Sequence, residues 1–307
     1  MTEFLIGTGG WAYFQVPGLS SLEAYARVFD FVEVNSTFYE IPTPPLTKSW
    51  RQRVQEDFEF AVRCHKDVTH KYYLEPLNEA FNTFETMVDI CRTLKSRFLV
   101  FETPATLNLS SEKIESIGHF FGSVNPKGIR MVWEVRRPGG EPIPPDLVTM
   151  MQDYNIIHCV DLSKEDPFIH SDTIYTRVFG KGEQNLYQFT DEEILEIDKK
   201  ITRRNPETAV ISYHNVRMYK DAARYKIYKE TKKFPPVTRA RGQQSLRMVL
   251  MEDAKFPATK QNLIRDQGWK VIDLTEDKRV HASTLFEELP DKLYRTVEEV
   301  LTNLPQT

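Results

Sequence analysis

The chain has 307 residues, of which 40% are hydrophobic and 27% charged, so it is large enough for one barrel or two ordinary globular domains. A formal net charge of −4 argues against a protein that binds nucleic acid through its overall charge. No apolar run approaches the roughly 18 residues of a membrane span, and the chain starts without a basic, apolar leader. Its three cysteines are far apart and predict reduced thiols, so we expect a cytoplasmic protein without a membrane partner.

Eight short runs rich in β-branched and aromatic residues predict strands in the first 215 residues. These runs are Phe4–Thr8, Phe31–Asn35, Phe58–Arg63, Phe98–Glu102, Ile129–Val135, Ile156–Asp161, Ile174–Phe179 and Ala209–Tyr213. Amphipathic segments with helix signals separate or follow them, at Leu22–Phe29, Leu46–Gln55, Asn78–Leu94, Ser111–Phe121, Pro144–Tyr154, Asp191–Arg203 and Lys220–Thr231. Strands and helices that alternate at this spacing predict parallel βαβ units and an α/β protein.

Eight such strands in roughly 200–250 residues predict a closed (β/α)8 TIM barrel. A doubly wound open sheet is the alternative architecture, and it usually carries a glycine-rich nucleotide-binding turn after its first strand. Here Gly7-Thr8-Gly9-Gly10 follows the first strand and matches neither GxGxxG nor a Walker loop. The barrel is therefore the predicted fold.

The composition changes after residue 216, because residues 217–247 contain ten Lys or Arg and two acidic residues. One interpretation is the solvated outer helix of the last βα unit. The other is a patch that tracks phosphates or RNA through Lys226, Lys229, Lys232 and Lys233.

We predict a barrel over residues 1–234, a Pro-rich linker over 235–245 and a small α+β module over 246–307. In the module, Leu246–Met251 and Lys270–Leu274 resemble strands and Thr259–Asp266 resembles a helix. Capping-box patterns at Thr284 and Thr296 predict the starts of two further helices.

Polar residues at the carboxyl ends of the predicted strands indicate a site, because TIM barrels place their chemistry there. Glu33 and Asn35 share a face of the second strand with Thr37, and Glu134 shares a face of the fifth strand with Arg136. The functional interpretation assigns acid–base work to Glu33, Glu134 and His70, and anion binding to Arg136 and Arg177. It assigns ligand binding to Trp11, Asn35, Tyr39, Tyr213 and Asn215.

A structural interpretation of the same residues stays open. Buried charges are normally paired, so Glu134 and Arg136 could form an ion pair that closes the barrel, with Arg177 pairing to Glu33 or Glu134. A Glu33/Glu134 pair would also suit glycoside hydrolysis or sugar isomerisation.

The cofactor is left unknown by the sequence. A divalent metal is an alternative that the pattern does not favour, because there is no HxH or HExxH spacing among the candidate ligands. Those candidates are Glu33, Glu102, Glu134, Asp161, His158 and His214.

Several of these runs together resemble the YecE-like family, also catalogued as domain of unknown function 72. The matching segments are Gly7–Trp11, Val32–Tyr39, Phe60–Arg63, Thr69-His70, Trp133–Arg136, Arg177 before Gly180, and Tyr213–Asn215. The resemblance spans roughly residues 5–225 and implies a TIM barrel similar to endonuclease IV-type enzymes and sugar isomerases, without supplying an activity. The chain departs from the family pattern at Phe179, where His is usual, and at His214, where Asn is usual.

The sequence therefore favours an enzyme that acts at the barrel mouth on a phosphorylated or otherwise anionic substrate, with a phosphodiester in nucleic acid as the favoured example. A non-catalytic protein that binds an anion or RNA is the alternative. The oligomeric state is left unassigned.

Overall fold

A computed structural model describes residues 2–15, 19–137, 142–181, 185, 187–235, 240–268, 270–275 and 278–304. Its main feature is an eight-stranded parallel sheet. The strands are β1 (Glu3–Thr8), β2 (Phe31–Val34), β3 (Glu59–Arg63), β4 (Phe98–Thr103), β5 (Arg130–Val135), β6 (Ile157–Cys159), β7 (Thr173–Val178) and β8 (Thr208–Tyr213). The helices around them are α1 (Ser21–Ala26), α2 (Pro44–Gln52), α3 (Asn78–Leu94), α4 (Ser111–Ser123), α5 (Pro145–Asp153), α6 (Asp191–Arg204) and α7 (Met218–Thr231).

The sheet closes between β6 and β7. Neighbouring strands follow chain order from β1 to β6, and β8 pairs with both β1 and β7. Val160 forms a parallel bridge with Thr176, whose Oγ1 donates to the Val160 carbonyl at 2.7 Å and accepts from Leu162 N at 3.1 Å. The predicted (β/α)8 barrel is confirmed, although residues 160–172 between β6 and β7 contain no helix.

Inward-facing side chains form an apolar floor with a polar layer above it. The floor consists of Leu5, Phe31, Ala61, Phe98, Val100, Val132, Ile157, Cys159, Tyr175 and Val210. Two residues further along their strands, on the same face, follow Glu33, Arg63, Glu102, Glu134, Arg177 and Ser212. The apolar residues fill the barrel as a packed core, so the polar layer is confined to its carboxyl end.

The regular alternation predicted for residues 31–37 ends earlier than expected. Strand β2 stops at Val34, and a 3-10 helix occupies Asn35–Phe38. Thr37 therefore does not lie on the inward face of the strand. Its buried hydroxyl is a hydrogen-bond donor that lies 2.7 Å from the Val34 carbonyl oxygen and 2.6 Å from that of Arg63.

The C-terminal segment contains α8 (Gln243–Asp253), β9 (Ala258–Thr259), α9 (Lys260–Gln267), β10 (Val271–Asp273), β11 (Arg279–His281), α10 (Ala282–Phe286), β12 (Leu293–Tyr294) and α11 (Val297–Thr302). A separate apolar cluster, which includes Leu246, Leu263, Phe286 and Val300, packs within this segment. The division of the chain at 234 and 246 stays a prediction, and residues 236–239 of the predicted linker lie outside the described residues.

Two predictions for this segment are wrong and three are confirmed, among them the helix predicted at Thr259–Asp266, which is α9 (Lys260–Gln267). Leu246–Met251 lies inside α8, because its apolar residues pack as a helical face against α11 and β10. Thr284 lies within α10 and does not cap it, since the helix already begins at Ala282. Thr296 does cap α11 and accepts from Glu299 N, and a strand lies within Lys270–Leu274.

Among the described residues, we find no helix that is both long and apolar enough to span a bilayer.

Candidate functional site

The carboxyl end of the barrel is occupied by a cluster of six charged side chains centred on Arg177. Arg177 is 1% exposed, and its Nε lies 3.1 Å from Oε1 of Glu33 on β2. Its Nη1 donates to both Glu102 on β4 and Glu134 on β5. One guanidinium thus joins carboxylates from three different strands.

Two further arginines complete what we call the mouth cluster, defined as Glu33, Arg63, Glu102, Glu134, Arg136 and Arg177. Arg63 Nη2 lies 2.7 Å from Oε2 of Glu102. Arg136 lies 3.1 Å from Glu102 through Nη1 and 3.0 Å from Glu134 through Nε. Three carboxylates therefore balance three guanidiniums, which stabilises buried charge far better than any isolated group could.

The network keeps Glu33 and Glu134 ionised. Burial by itself would raise the pKa of Glu33, but the charges of Arg177 and Arg63 outweigh it and hold this pKa well below its usual range. Burial would also raise the pKa of Glu134, but the charges of Arg177 and Arg136 are stronger and lower it. The neighbouring carboxylates raise the pKa of Arg177 against its own desolvation.

Glu33 is held from a second side by Tyr175, whose hydroxyl donates to Oε2 at 2.9 Å. Glu33 is 0% exposed, so its carboxylate offers no accessible surface at the mouth. The Glu33/Glu134 pair considered for glycoside chemistry is thus separated by a guanidinium.

His214 packs against the same arginine. Its Nε2 lies 3.3 Å from Arg177 Nε and 3.0 Å from Ser212 Oγ, and its ring stacks on Phe179 at 4.9 Å. Burial and the charge of Arg177 lower its pKa, so the imidazole is neutral at neutral pH. The two positions at which the chain departs from the family pattern, Phe179 and His214, are therefore in direct contact.

Asn35 and Gly9 close the side of the cluster near β1. Asn35 Nδ2 donates to the Gly9 carbonyl at 2.8 Å and lies 3.3 Å from His214 Nδ1. A Cβ at Gly9 would lie only 2.4 Å from His214 and 2.5 Å from Asn35, so this close approach requires glycine.

His70 and Tyr39 lie at the rim near the cluster. His70 belongs to a single π-helical turn, Asp67–Lys71, and its Nδ1 lies 2.9 Å from Thr69 Oγ1. Burial and the charges of Arg63 and Arg136 lower the pKa of His70, and the charge of Glu102 partly opposes them. Tyr39 is 65% exposed and packs on Phe38, which also carries the Arg63 guanidinium 3.8 Å above its ring centre.

Three residues predicted to bind ligand lie elsewhere. Trp11 packs on Trp50 and Phe60, outside the sheet. Tyr213 is fully buried in the core between sheet and helices, because it occupies the alternate face of β8 from Ser212. Asn215 is turned to α7, where its Nδ2 donates to Asp221 at 2.7 Å.

The predicted basic patch lies at the opposite end of the barrel from the mouth. Helix α7 runs away from the carboxyl end of β8, so Lys226 and Lys229 lie roughly 12 and 17 Å beyond its first residue. Lys226 pairs with Asp30 at 2.6 Å and Lys229 with Asp198 at 2.7 Å. Lys232 lies 5.5 Å from the Tyr228 ring centre, and Lys233 is exposed.

The candidate metal ligands do not assemble into one centre. Among the residues that the structure describes, no three His, Cys, Asp or Glu groups are placed to hold an ion together. Glu102 faces all three cluster arginines, and Asp161 accepts from the Phe179 amide at 3.0 Å.

The site residues predicted from the sequence did not include Arg63, Tyr175, Ser212 or Phe179. Glu102 was considered only as a possible metal ligand. The signal for three of them was present, since Arg63, Tyr175 and Ser212 lie on the inward face of strands that were predicted correctly. Phe179 follows β7 directly, and its contacts show that it belongs to the site, since its ring stacks on His214 and lies 5.5 Å from the Arg177 guanidinium and 5.7 Å from that of Arg136.

A closed eight-stranded α/β barrel with its polar residues gathered at the carboxyl ends of the strands defines the TIM-barrel class. Within that class, the chain belongs to the family described as "Protein of unknown function DUF72", whose model matches residues 5–230. This match confirms the resemblance seen in the sequence and ends before the C-terminal segment.

Three known proteins show what this chain is similar to. UPF0759 protein YecE of Escherichia coli (strain K12) is 29% identical over 121 residues, which is 39% of this chain and 43% of that protein. A DUF72 family protein from Thermotoga maritima has a TM-score of 0.62 at 17% identity, over 74% of this chain and 99% of its own. A D-tagatose 3-epimerase-like protein reaches 0.50 at 16% identity, over 75% of this chain and 96% of its own. At these identities the solved structures show the fold alone.

Proposed function

We propose that the protein is an enzyme whose active site is the barrel mouth, and that it acts on a small anionic substrate bound by Arg136. The observation that carries this proposal is the exposure of Arg136. Its side chain is 43% exposed, whereas Arg63 and Arg177 are buried at 9% and 2%. A guanidinium that is already oriented by two carboxylates offers its outer edge to a carboxylate or phosphate.

The remaining roles follow from burial. Glu134 is the carboxylate next to Arg136 and its side chain keeps 13% exposure, so it is the acid–base candidate. An anion bound beside Glu134 would raise its pKa, because like charges disfavour ionisation, and would prepare it to donate a proton. His70, on the rim after β3, is the second proton carrier in this proposal.

Glu33 and Arg177 receive positioning roles in place of the catalytic and binding roles first considered. Both side chains are fully buried. Arg177 pairs with Glu33 and also with Glu102 and Glu134, so neither Glu33 nor Arg177 carries an unpaired charge. Fixing Glu134 in this way keeps the acid–base group within a narrow range of geometry, which catalysis requires.

A neutral polyhydroxylated substrate is the second candidate. It is favoured by the balance of three carboxylates and three guanidiniums, which presents acceptors as well as donors without excess charge. A phosphodiester in nucleic acid is less well supported, because the predicted lysines lie at the far end of the barrel and two of them are paired with aspartates.

The test compares binding of ribose 5-phosphate with binding of ribose by calorimetry. The proposal expects the phosphate ester to bind more tightly, and Arg136→Gln to weaken it by about tenfold or more. The matched control is Arg130→Gln, because Arg130 begins the strand that Arg136 directly follows and is paired with Asp172 at 2.7 Å.

Three results would decide against parts of the proposal. Equal binding of both sugars would favour the polyhydroxylated substrate, and equal effects of the two arginine variants would remove Arg136 from the site. A ligand that binds at the mouth but is never turned over, with Glu134→Gln binding it normally, would favour a non-catalytic binding protein.

A further inference from the structure

An exposed tyrosine lies at the rim of the barrel mouth, in the loop after β2. Tyr39 is 65% exposed, more than any other aromatic residue that the structure describes, and its hydroxyl makes no hydrogen bond to another described residue. Ile41 and Leu46 follow it in the same loop and the first turn of α2, and they are 37% and 45% exposed. Apolar surface is therefore exposed at three nearby positions of the chain, which is a feature of binding sites.

The backbone that carries Tyr39 is held in place. Tyr39 directly follows the 3-10 helix Asn35–Phe38, and its amide donates to the Ser36 carbonyl at 3.0 Å. The buried Thr37 hydroxyl fixes this helix to the carboxyl ends of β2 and β3. The tyrosine ring is thus a preorganised surface, so a ligand that binds on it loses little affinity to the ordering of the loop.

The ring of Phe38 connects Tyr39 to the groups proposed to act at the mouth. Phe38 is 8% exposed, and its ring centre lies 5.0 Å from that of Tyr39 and 4.9 Å from that of His70. The Arg63 guanidinium of the mouth cluster lies 3.8 Å from the same ring centre. Tyr39 is therefore a near neighbour of both the mouth cluster and the proposed proton carrier on the rim.

The distance across the mouth sets the size of a ligand that reaches both Tyr39 and Arg136. Tyr39 comes after β2 and Arg136 comes after β5, and β3 and β4 lie between those strands in the sheet. Three steps between neighbouring strands measure roughly 14 Å along the barrel wall, and the straight path is shorter. A phosphate alone is too small to bridge this gap, whereas a ring joined to a phosphate by a short spacer is long enough.

We propose that the mouth takes an anion that carries a planar ring, with the anionic group at Arg136 and the ring stacked on Tyr39. This inference rests on the proposed function, because it adds a ring to the anionic substrate assigned to Arg136. Planar rings stack well on tyrosine, and Ile41 and Leu46 offer further apolar contact. A protein partner fits less well, since an interface uses about 20–30 residues on each side.

The test adds a ring to the ligand of the earlier experiment. Adenosine 5′-monophosphate is ribose 5-phosphate with a planar base, and we expect it to bind at least about fivefold more tightly in calorimetric titration. Phenyl phosphate and inorganic phosphate form a second pair, in which the ring has no ribose spacer. A gain from the ring in the first pair alone identifies a nucleotide-like ligand, and a gain in the second pair alone identifies a simple aryl anion.

Three variants locate the ring. Tyr39→Ala should remove the advantage of the ring-bearing ligand and leave the affinity for ribose 5-phosphate unchanged, whereas Tyr39→Phe should retain the advantage. The matched control is Phe168→Ala. Phe168 is also exposed, at 55%, but its ring stacks on His158, which lies on the outward face of β6.

The outcomes separate this inference from the proposed function. If ribose 5-phosphate binds and depends on Arg136, but neither ring-bearing ligand binds more tightly than its partner, the inference is overturned and the proposed function stands. The inference is also overturned if Tyr39→Ala behaves as Phe168→Ala does. If Arg136→Gln changes the binding of no phosphate, the proposed function fails and the inference fails with it.

Discussion

Replacing Arg177 with glutamine should destabilise the protein strongly, because it removes the cation at the centre of the mouth cluster. Glu102 would keep both other arginines of the cluster, and Glu134 would keep Arg136. Glu33 would lose its guanidinium and retain the Tyr175 hydroxyl at 2.9 Å and His214 at 3.6 Å. One fully buried carboxylate left without its cation corresponds to a loss of about 3–5 kcal/mol in the free energy of unfolding.

The loss should depend on pH in a defined direction. In the native protein the pKa of Glu33 is depressed, so its ion pair stabilises the fold above the unfolded pKa and is lost as pH falls through the folded pKa. In Arg177→Gln, burial dominates and raises this pKa, so the penalty is present at pH 7 and is relieved as Glu33 takes up a proton. The stability difference between the two proteins should therefore shrink as pH falls from 7 to 5.

Urea denaturation followed by tryptophan fluorescence at pH 7 and pH 5 measures both effects, since Trp133 is buried in the barrel. Arg130→Gln is the matched control, and its exposed pair with Asp172 should contribute less than about 1 kcal/mol. The double variant Glu33→Gln/Arg177→Gln should recover much of the loss. A cost for Arg177→Gln no larger than for Arg130→Gln, or a pH-independent difference, would refute the reasoning.

Three further predictions follow from other parts of the molecule. Gly9→Ala should cost about 1–3 kcal/mol and displace the His214 ring, visible in its NMR signals, because the added Cβ would lie 2.4 Å from that ring. Thr296→Ala should cost about 1 kcal/mol by removing the cap of α11. Burial raises the pKa of Asp221 to about 6, so its contribution to stability is present below pH 4 and is lost as pH rises through 6. Asp221→Asn should remove up to about 3 kcal/mol of that pH dependence.

Each of these predictions has a control or a contrary outcome. Gly118→Ala on α4 should be neutral or stabilising, since its nearest neighbour atom would lie 3.4 Å from the new Cβ. Thr284→Ala should be neutral, because this threonine lies within α10 and caps nothing. Identical unfolding curves for native protein and Asp221→Asn at pH 4 and pH 7 would contradict the assignment of a raised pKa.

The local pattern of the sequence was sufficient for the barrel. Strands and helices of the first 231 residues were predicted within a few residues, because buried parallel strands and amphipathic helices have short-range signatures. The secondary structure of the C-terminal module was harder to predict, because an apolar run such as Leu246–Met251 fits a strand or a buried helix equally well until its packing partners are known.

For the candidate site, the sequence predicted where residues lie along the strands, and the tertiary structure determined their contacts. The sequence by itself determined that Glu33, Glu134, Arg136 and Arg177 end strands of a barrel, and therefore that they meet at one end. Only the tertiary structure decided that a single guanidinium joins three carboxylates, that Tyr213 faces the outer core, and that the basic segment lies far from the mouth. The physical reason is that strand periodicity fixes the face on which a side chain lies, whereas its partners and exposure depend on residues that are distant along the chain.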